Sequence, residues 1–405
     1  MTRRRIAITG IGIVSGLGAT REETWARMLQ GDCAVRPVTV FDTDGYRSRV
    51  AAEVPIRRVG AQLSPWERRR WSRGDQFGMV AAQEALLDSG LLDAGVDRSR
   101  VGVLLGAGTS DLLRNEEYHR IALERGIDRA RPSHAWNHFS STPVDLIAAG
   151  YGFEGLRSCV VAACSSSTIA IGQAADAIRS GRIQAALAGG TDALARLTFS
   201  GFNALRLMDP QPCRPFDRGR AGMNIGEGAA ILVLEDLEHA RARGAATYAE
   251  LAGFAFGCEA FHSTAPEPDG RPVAAIVRDA LRDAGLGASD VDHVNAHGTA
   301  TPQNDRAEAN AFRAVFGKRL HEIAVTSIKS SIGHCLGAAG ALEAAVLALS
   351  VSRGAIPPTV NHVEMDPECD LDLVANAARR RQVRVGVTTS LGFGGSDSAL
   401  VLATV

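Results

Sequence analysis

The sequence predicts an α/β fold built of two related halves. Short apolar segments alternate with helical segments along the 405 residues, which favours a largely parallel sheet in each half. The residue order of 85–91 returns at 280–286, and both copies run through a strand into a Gly-Thr pair, Gly108-Thr109 and Gly298-Thr299. Two copies are too few for a solenoid, so we interpret them as the halves of a pseudo-twofold fold.

Each element of the first half has its own signal. Residues 6–9 predict an apolar strand, and Thr20 with Glu23 matches a capping box that starts a helix over residues 21–29. The same reasoning gives a helix over 75–89, a strand over 101–105, a helix over 167–179, a strand over 229–234 and a helix over 237–243.

The second half repeats this order. A helix ends at Gly285, a strand follows over residues 291–296, and a small-residue helix over 337–354 echoes the one over 165–181. We therefore place the division between residues 247 and 248, with an N-terminal half over 1–247 and a C-terminal half over 248–405.

Composition excludes several classes of protein. The formal net charge is -1, so no overall field attracts nucleic acid or an anionic membrane, and no run of about 20 apolar residues predicts a membrane span. Seven cysteines are an odd number in a chain too long to need disulfides, which favours a reducing, cytoplasmic location. The basic runs at 3–5 and 68–70 are either solvated faces or a docking patch for an acidic partner.

Cys164 is the first candidate for chemistry. An apolar strand over residues 160–163 stops at this cysteine, and a helix of small residues follows. The positive end of a helix favours a thiolate, which is the form that attacks a thioester. From these residues alone, a small buried core cysteine is an equally good interpretation.

Two histidines occupy similar positions in the second half. His297 ends an apolar strand and precedes Gly298, and loops at the carboxyl ends of strands are where α/β folds build sites. His334 marks the start of a helix rich in glycine and alanine. Glu343 lies within that helix among apolar residues, so it needs a partner, for which Lys329 or either histidine is available.

A glycine-rich loop follows the strand predicted over residues 385–389. Gly392, Gly394 and Gly395 surround Phe393, and the backbone N–H groups of such a loop can approach a ligand and bind a developing oxyanion. No zinc or phosphate-loop motif is present in the sequence, so we predict no metal.

Together and in this order, the motifs resemble the elongating β-ketoacyl-acyl carrier protein synthases of the thiolase superfamily. The matching motifs are Ala163-Cys164-Ser165-Ser166, Asn295-Ala296-His297-Gly298-Thr299-Ala300-Thr301, Lys329-Ser330, Ile332-Gly333-His334, Gly337-Ala338-Ala339-Gly340 and Gly392-Phe393-Gly394-Gly395. Arg214-Pro215-Phe216-Asp217 and Gly226-Glu227-Gly228-Ala229 also look like this family. The resemblance implies a thiolase-like fold, with two halves in a five-layered αβαβα sandwich, and a dimer.

The resemblance also implies a reaction and a role for each residue. Cys164 accepts an acyl chain from the phosphopantetheine arm of an acyl carrier protein, and His297 and His334 promote decarboxylation of the malonyl-carrier. Cys164 and Phe393 supply the oxyanion hole, with Phe393 as gate. The remaining matches are Lys329 with Glu343 as a supporting pair, Thr299 and Thr301 as hydroxyls that hold pantetheine, and Gly392 and Gly394 beside the substrate; no cofactor of the protein's own is implied.

The partners implied are an acyl carrier protein and either a second copy or a chain-length-factor-like subunit. The chain itself is not such a factor, since those partners lack the nucleophile that Cys164 provides. A thiolase would carry a second cysteine where Phe393 stands, and an initiating synthase would carry asparagine in place of His334. Ala162 and Leu391 depart from residues common in relatives, which leaves the acyl substrate open.

Overall fold

The computed structural model describes residues 3–109, 112–135 and 139–405. The strands are β1 (Ile6–Val14), β2 (Val35–Pro37), β3 (Val50–Ala52), β4 (Val101–Gly106), β5 (Arg157–Val160), β6 (Ala185–Asp192), β7 (Gly228–Asp236), β8 (Ala249–Cys258), β9 (His293–Asn295), β10 (Ala324–Thr326), β11 (Ala355–Ile356), β12 (Arg379–Arg380), β13 (Val385–Gly392) and β14 (Ser396–Ala403). The helices are α1 (Arg21–Leu29), α2 (Ile56–Gly60), α3 (Pro65–Arg70), α4 (Arg73–Ser89), α5 (Leu112–Arg125), α6 (Pro132–Ala135), α7 (Thr142–Tyr151), α8 (Ser166–Arg179), α9 (Arg196–Ala204), α10 (Leu237–Ala242), α11 (Arg271–Ala284), α12 (Pro302–Phe316), α13 (Lys329–Ile332) and α14 (Ala339–Arg353).

Ten strands form one continuous sheet in the order β10-β9-β13-β14-β8-β1-β7-β6-β4-β5. Each half contributes five adjacent strands, and the halves meet through a two-residue antiparallel pairing of β1 with β8. The pairing pattern is the same in both: two parallel pairs beside two antiparallel ones. This equivalence, β4 with β9 and β6 with β13, confirms the two related halves expected from the internal repeat.

The helices form three layers around the two halves of the sheet. On one outer face, α4 and α7 pack on β1, β7 and β4, whereas α11 packs on β8 and β14 at the other outer face. Between the half-sheets, α8 and α14 contact each other and strands of both halves. The result is the five-layered αβαβα arrangement, and the two central helices each begin close to a predicted catalytic residue.

One helical stretch in the described residues, Leu336–Arg353, is long and apolar enough to cross a membrane by composition alone. It is 89% buried inside the protein, where its apolar residues form part of the largest core cluster together with those of α8. Its position in the central layer of the fold, where it is surrounded by other protein segments, therefore explains its apolar composition.

Candidate active site

Cys164 lies at a sharp turn between β5 and α8. The preceding residue, Ala163, has φ 49°, a left-handed conformation that is costly for any residue with a Cβ atom. Ser166 holds the turn, because its Oγ accepts from the Ala162 N–H at 2.8 Å and donates to the Ala163 carbonyl at 2.6 Å. The turn places the Cys164 thiol beside the first residues of a buried helix, as the sequence predicted.

The thiolate expected from the sequence is wrong for the resting protein. Burial raises the pKa of the Cys164 thiol to about 12, and the nearby Lys329 opposes this only in part. The free energy needed to bury a thiolate away from water exceeds the stabilisation that the positive end of a helix provides, which is up to about 2 kcal/mol. Cys164 therefore rests as a thiol.

His297 follows β9 and is held through its backbone. Its N–H donates to Glu308 Oε1 at 2.7 Å and to Thr389 Oγ1 at 3.1 Å, and the Gly298 N–H donates to the other Glu308 oxygen at 2.8 Å. Glu308 comes from α12, so this helix fixes the turn that carries the imidazole.

His334 is held just before α14 rather than at its first residue. A short 3-10 turn, Leu336–Ala338, separates the histidine from the helix, which corrects the position expected from the sequence. The Leu336 N–H donates to His334 Nδ1 at 3.0 Å, and the His334 N–H donates to the Asn224 carbonyl at 2.8 Å. With Nδ1 accepting, the ring proton is on Nε2.

Lys329 and Glu343 form a buried ion pair beside His297. Lys329 Nζ contacts Glu343 Oε1, donates to the His297 carbonyl at 2.5 Å and lies 3.2 Å from His297 Nδ1. Burial raises the pKa of Glu343 to about 7 although the ammonium opposes it. Of the partners that the sequence left open, Lys329 is thus the one that contacts Glu343.

We expect Glu343→Ala to lower the free energy of unfolding by about 3–5 kcal/mol, because it leaves the Lys329 ammonium buried without its counter-charge. The double variant Lys329→Met with Glu343→Leu removes both charges and is expected to lose much less. Urea unfolding followed by circular dichroism measures both. Equal losses in the two variants would show that packing rather than charge explains the effect.

The three predicted catalytic side chains converge. The Cys164 sulfur and one ring nitrogen each from His297 and His334 lie within 4.8 Å of one another, and all three residues are buried. The two imidazole rings are 5.3 Å apart between centroids and nearly perpendicular, at 85°. One sulfur and two nitrogens are also ligand atoms that can bind zinc. The absence of a metal therefore stays a prediction.

The glycine-rich loop covers this cluster. The Phe393 N–H faces the Cys164 sulfur, and an atom added at the Cβ position of Gly392 would lie 3.4 Å from the Cys164 nitrogen. The Phe393 ring packs on Phe202 of α9 with 5.6 Å between centroids. Two backbone N–H groups thus lie next to the nucleophile, as an oxyanion hole requires.

A cavity of about 50 Å³ connects these groups. Thr299 and Thr301 line it, with their hydroxyl oxygens 2.9 Å apart, and so do Gly392 and Gly394. The structure thus brings together around one cavity the residues that the sequence assigned to substrate binding.

Sequence reasoning missed several residues of the site. Glu259, His262, Phe202 and Met223 line the cavity, but none lies within a recognised motif. Asp397, two residues after the glycine-rich loop, lines it too. The sequence analysis also missed Asp192 at the end of β6. Its carboxylate accepts hydrogen bonds from the N–H groups of Gly108 and Gly337 and so supports the turn after His334.

Comparison with known families agrees with this geometry. The family described as "Beta-ketoacyl synthase, N-terminal domain" matches residues 3–240, and "Beta-ketoacyl synthase, C-terminal domain" matches residues 248–363. The tetracenomycin polyketide synthase ketoacyl synthase alpha subunit of Streptomyces glaucescens is 41% identical, covering 100% of this chain and 98% of the relative. The 3-oxoacyl-[acyl-carrier-protein] synthase 2 of Synechocystis is 36% identical, covering 99% and 98%.

Solved structures show the same relationship. The ishigamide ketosynthase/chain length factor has a TM-score of 0.94 and 36% identity, with 100% of both chains covered. A type II polyketide synthase acyl-carrier protein in complex with its ketosynthase bound to the hexaketide has a TM-score of 0.93 and 31% identity, also over 100% of both chains.

Fold and site define an acyl-transferring enzyme with the thiolase-like architecture. The chain belongs to the β-ketoacyl synthase family. It is an acyltransferase, a β-ketoacyl-acyl carrier protein synthase of fatty acid or polyketide elongation.

Proposed function

We propose that Cys164, His297 and His334 catalyse a two-stage condensation. First, the Cys164 sulfur attacks the thioester of an acyl-carrier; the acyl group moves to Cys164, and the thiol proton leaves with the pantetheine sulfur. Then a malonyl-carrier loses carbon dioxide, and its carbanion attacks the acyl-cysteine carbonyl. The carbon–sulfur bond to Cys164 breaks, which releases a β-ketoacyl chain two carbons longer and regenerates the thiol after protonation.

The electrostatics of the two histidines support this division of work. Burial and the nearby Lys329 hold the pKa of His297 and of His334 well below the usual value, so both rings are neutral. His334 carries its proton on Nε2, and His297 does the same when the Lys329 ammonium faces its Nδ1. Two neutral N–H donors suit the thioester oxygen that becomes negative as carbon dioxide leaves.

The loop residues serve the acyl-cysteine. The N–H groups of Cys164 and Phe393 stabilise the tetrahedral oxyanion that forms in each transfer. Thr299 and Thr301, with the backbone at Gly392 and Gly394, hold the pantetheine arm on its way to the sulfur. The substrates bring this arm with them, so the protein needs no cofactor of its own.

The convergence of one thiol and two imidazoles in a buried cavity is the observation that carries the proposal. Intact mass spectrometry after incubation with a panel of acyl-carrier proteins tests it. We expect a mass increase equal to the acyl group, absent in Cys164→Ala. Acylation of the alanine variant to the wild-type level would refute the role of Cys164.

We propose further that the acyl carrier protein docks on a basic groove near the catalytic cavity. Arg69, Arg70, Arg114 and Arg131 line this groove together with the exposed Trp66. Helix α5, which carries Arg114, packs against α9, which carries Phe202 of the cavity lining. The carrier-bound ketosynthase among the similar structures supports this partner.

Arg69→Glu is expected to raise the KM for the carrier substrate by about tenfold with little change in kcat, because a charge at an interface acts mainly on association. The effect should shrink in 0.5 M salt, where exposed charges are screened. Steady-state kinetics with a malonyl-carrier measure it, and Arg282→Glu, an exposed site on α11, is the matched control. An equal effect of both variants would place the docking site elsewhere.

We also propose that a second subunit continues the sheet at β5. This strand is the last in the sheet order and is partly exposed, and Val161 beside it and Phe139 near it are exposed apolar residues. An unpaired strand edge with apolar neighbours is typical of a surface that another chain covers. The partner is a second copy or a chain-length-factor-like subunit, and sedimentation of the purified chain alone tests the first.

The proposal also includes the division of the chain into two halves and its cellular location. Residues 1–247 and 248–405 are the two halves, supported by the separate strand sets of the sheet. All seven cysteines are free thiols, which supports a reducing, cytoplasmic location.

A further inference from the structure

Two carboxyl groups face each other at the edge of the catalytic cavity. Asp397 at the start of β14 is 1% exposed, and Glu259 follows β8 directly; both line the cavity that contains Cys164. Among the described residues, no donor meets hydrogen-bond geometry with either Asp397 oxygen or with Glu259 Oε1, although the Glu259 carboxyl and the Gly392 N–H lie close enough to Asp397 to act on its pKa, the first raising and the second lowering it. Ionised carboxylates only accept hydrogen bonds, so this pair is satisfied when one member carries a proton.

The two residues belong to the two loops that close over the nucleophile. The Glu259 N–H donates to the Gly395 carbonyl at 2.9 Å, and the Gly394 N–H donates to the Ser263 carbonyl at 2.8 Å. These contacts tie the segment after β8 to the loop that carries Phe393. The Glu259–Asp397 pair is the side-chain contact at the same junction.

We propose that Glu259 and Asp397 are positioning residues: a protonated Asp397 donates a hydrogen bond to Glu259 and thereby holds the Phe393 loop closed over Cys164. The inference rests on the proposed role of Phe393 as gate and oxyanion donor. Loss of the Asp397 proton places two negative charges side by side in a buried site, which separates the loops and moves the Phe393 N–H away from the sulfur.

The surroundings favour the protonated pair. Burial raises the pKa of Asp397 to about 9, and the neighbouring Glu259 raises it further than Glu308 of α12 does. The other titratable groups that line the same cavity are Cys164, His262, His297 and His334. Glu267 donates its backbone N–H to Glu259 Oε2 at 2.9 Å, and its own carboxylate is paired with Arg271 of α11.

The sign of the pH effect follows from this shift. Because the folded-state pKa of Asp397 is raised from 3.8 to about 9, its proton is still bound in the closed pair at neutral pH. The stabilisation of closure is complete only below the ordinary carboxyl pKa, decreases as the pH rises, and is lost as the pH passes about 9. Asp397→Asn keeps the size of the side chain and supplies a permanent N–H donor to Glu259, so it mimics the protonated state at every pH.

Hydrogen–deuterium exchange of residues 256–267 and 391–398 tests the proposal without any need for activity. At pH 7, wild type and Asp397→Asn are expected to exchange alike in these segments. At pH 9.5, the wild type should exchange about threefold or more faster than the variant, since most pairs have then lost the proton. Comparison at the same pH cancels the intrinsic pH dependence of exchange.

Glu259→Gln is the second variant and is expected to behave like Asp397→Asn, whereas Glu238→Gln, an exposed acid on α10, should follow the wild type. If the ratio between wild type and both carboxyl variants is the same at the two pH values, the Asp397 proton does not hold the loops. That result would leave acylation of Cys164, and therefore the proposed reaction, untouched. If instead the exchange ratio depends on pH but Cys164 is not acylated, the proton does hold the loops and the proposed reaction is wrong.

Discussion

Replacing Cys164 with glutamine is expected to abolish chain elongation and to leave decarboxylation of the malonyl-carrier. The variant has no sulfur to accept the acyl group, so condensation should fall on the order of 10⁴-fold or more, as when other covalent nucleophiles are removed. We expect the glutamine carbonyl to occupy the place of the acyl carbonyl, because the Phe393 N–H faces the side chain at position 164. His297 and His334 keep their neutral N–H groups, which is what carbon dioxide loss requires.

Release of labelled carbon dioxide and formation of the β-ketoacyl product are measured in the same reaction. Cys164→Ala is the matched control, which also removes elongation but leaves the position of the acyl carbonyl empty. Elongation by either variant at the wild-type rate would contradict the assignment of the nucleophile. A folded glutamine variant that releases no carbon dioxide would contradict the role of the two histidines.

The fold was predictable because its signals are local and occur twice. The helix expected over residues 21–29 is α1 (Arg21–Leu29), since the Thr20 side chain caps it as the sequence indicated. The strand expected over 291–296 is shorter, β9 (His293–Asn295): it begins two residues later, and Ala296 already belongs to the loop that carries His297. Matching strand positions in the two halves follow from the repeated residue order.

The chemistry of the site was less predictable than its location. Motifs identified Cys164, His297 and His334, but not the direction of the thiol pKa, which depends on how completely the cavity excludes water. Glu259 and Asp397 are 138 positions apart in the sequence, and only the pairing of β8 with β14 brings them together. Such a long-range pair leaves no periodicity or spacing to detect.

The departure at Leu391 has a structural explanation. The side chain is buried and packs with Val273, Ala274 and Ala311 in a small apolar cluster. An aliphatic residue fits this cluster, and it lies next to Gly392 at the base of the gate.

Replacing His334 with alanine is expected to separate the two stages of the reaction. Acylation of Cys164 should persist, because the oxyanion hole and the sulfur remain. Decarboxylation and condensation should fall by about 10²–10³-fold, the usual loss when one donor to a developing oxyanion is removed. Intact mass spectrometry measures the acylation, and malonyl-carrier consumption measures the second stage.

His334→Asn is the matched control for this test. Its amide oxygen can accept the Leu336 N–H that His334 Nδ1 now accepts, and its NH₂ group replaces the donor at a shorter reach. We therefore expect it to retain more decarboxylation than the alanine variant. If alanine lowers acylation as much as condensation in a protein that unfolds at the wild-type temperature, His334 acts in the first transfer, and the donor role argued from its tautomer is wrong. If acylation survives in the alanine variant and asparagine restores part of the decarboxylation, an N–H donor at this position serves the second stage, as the proton on Nε2 does in His334.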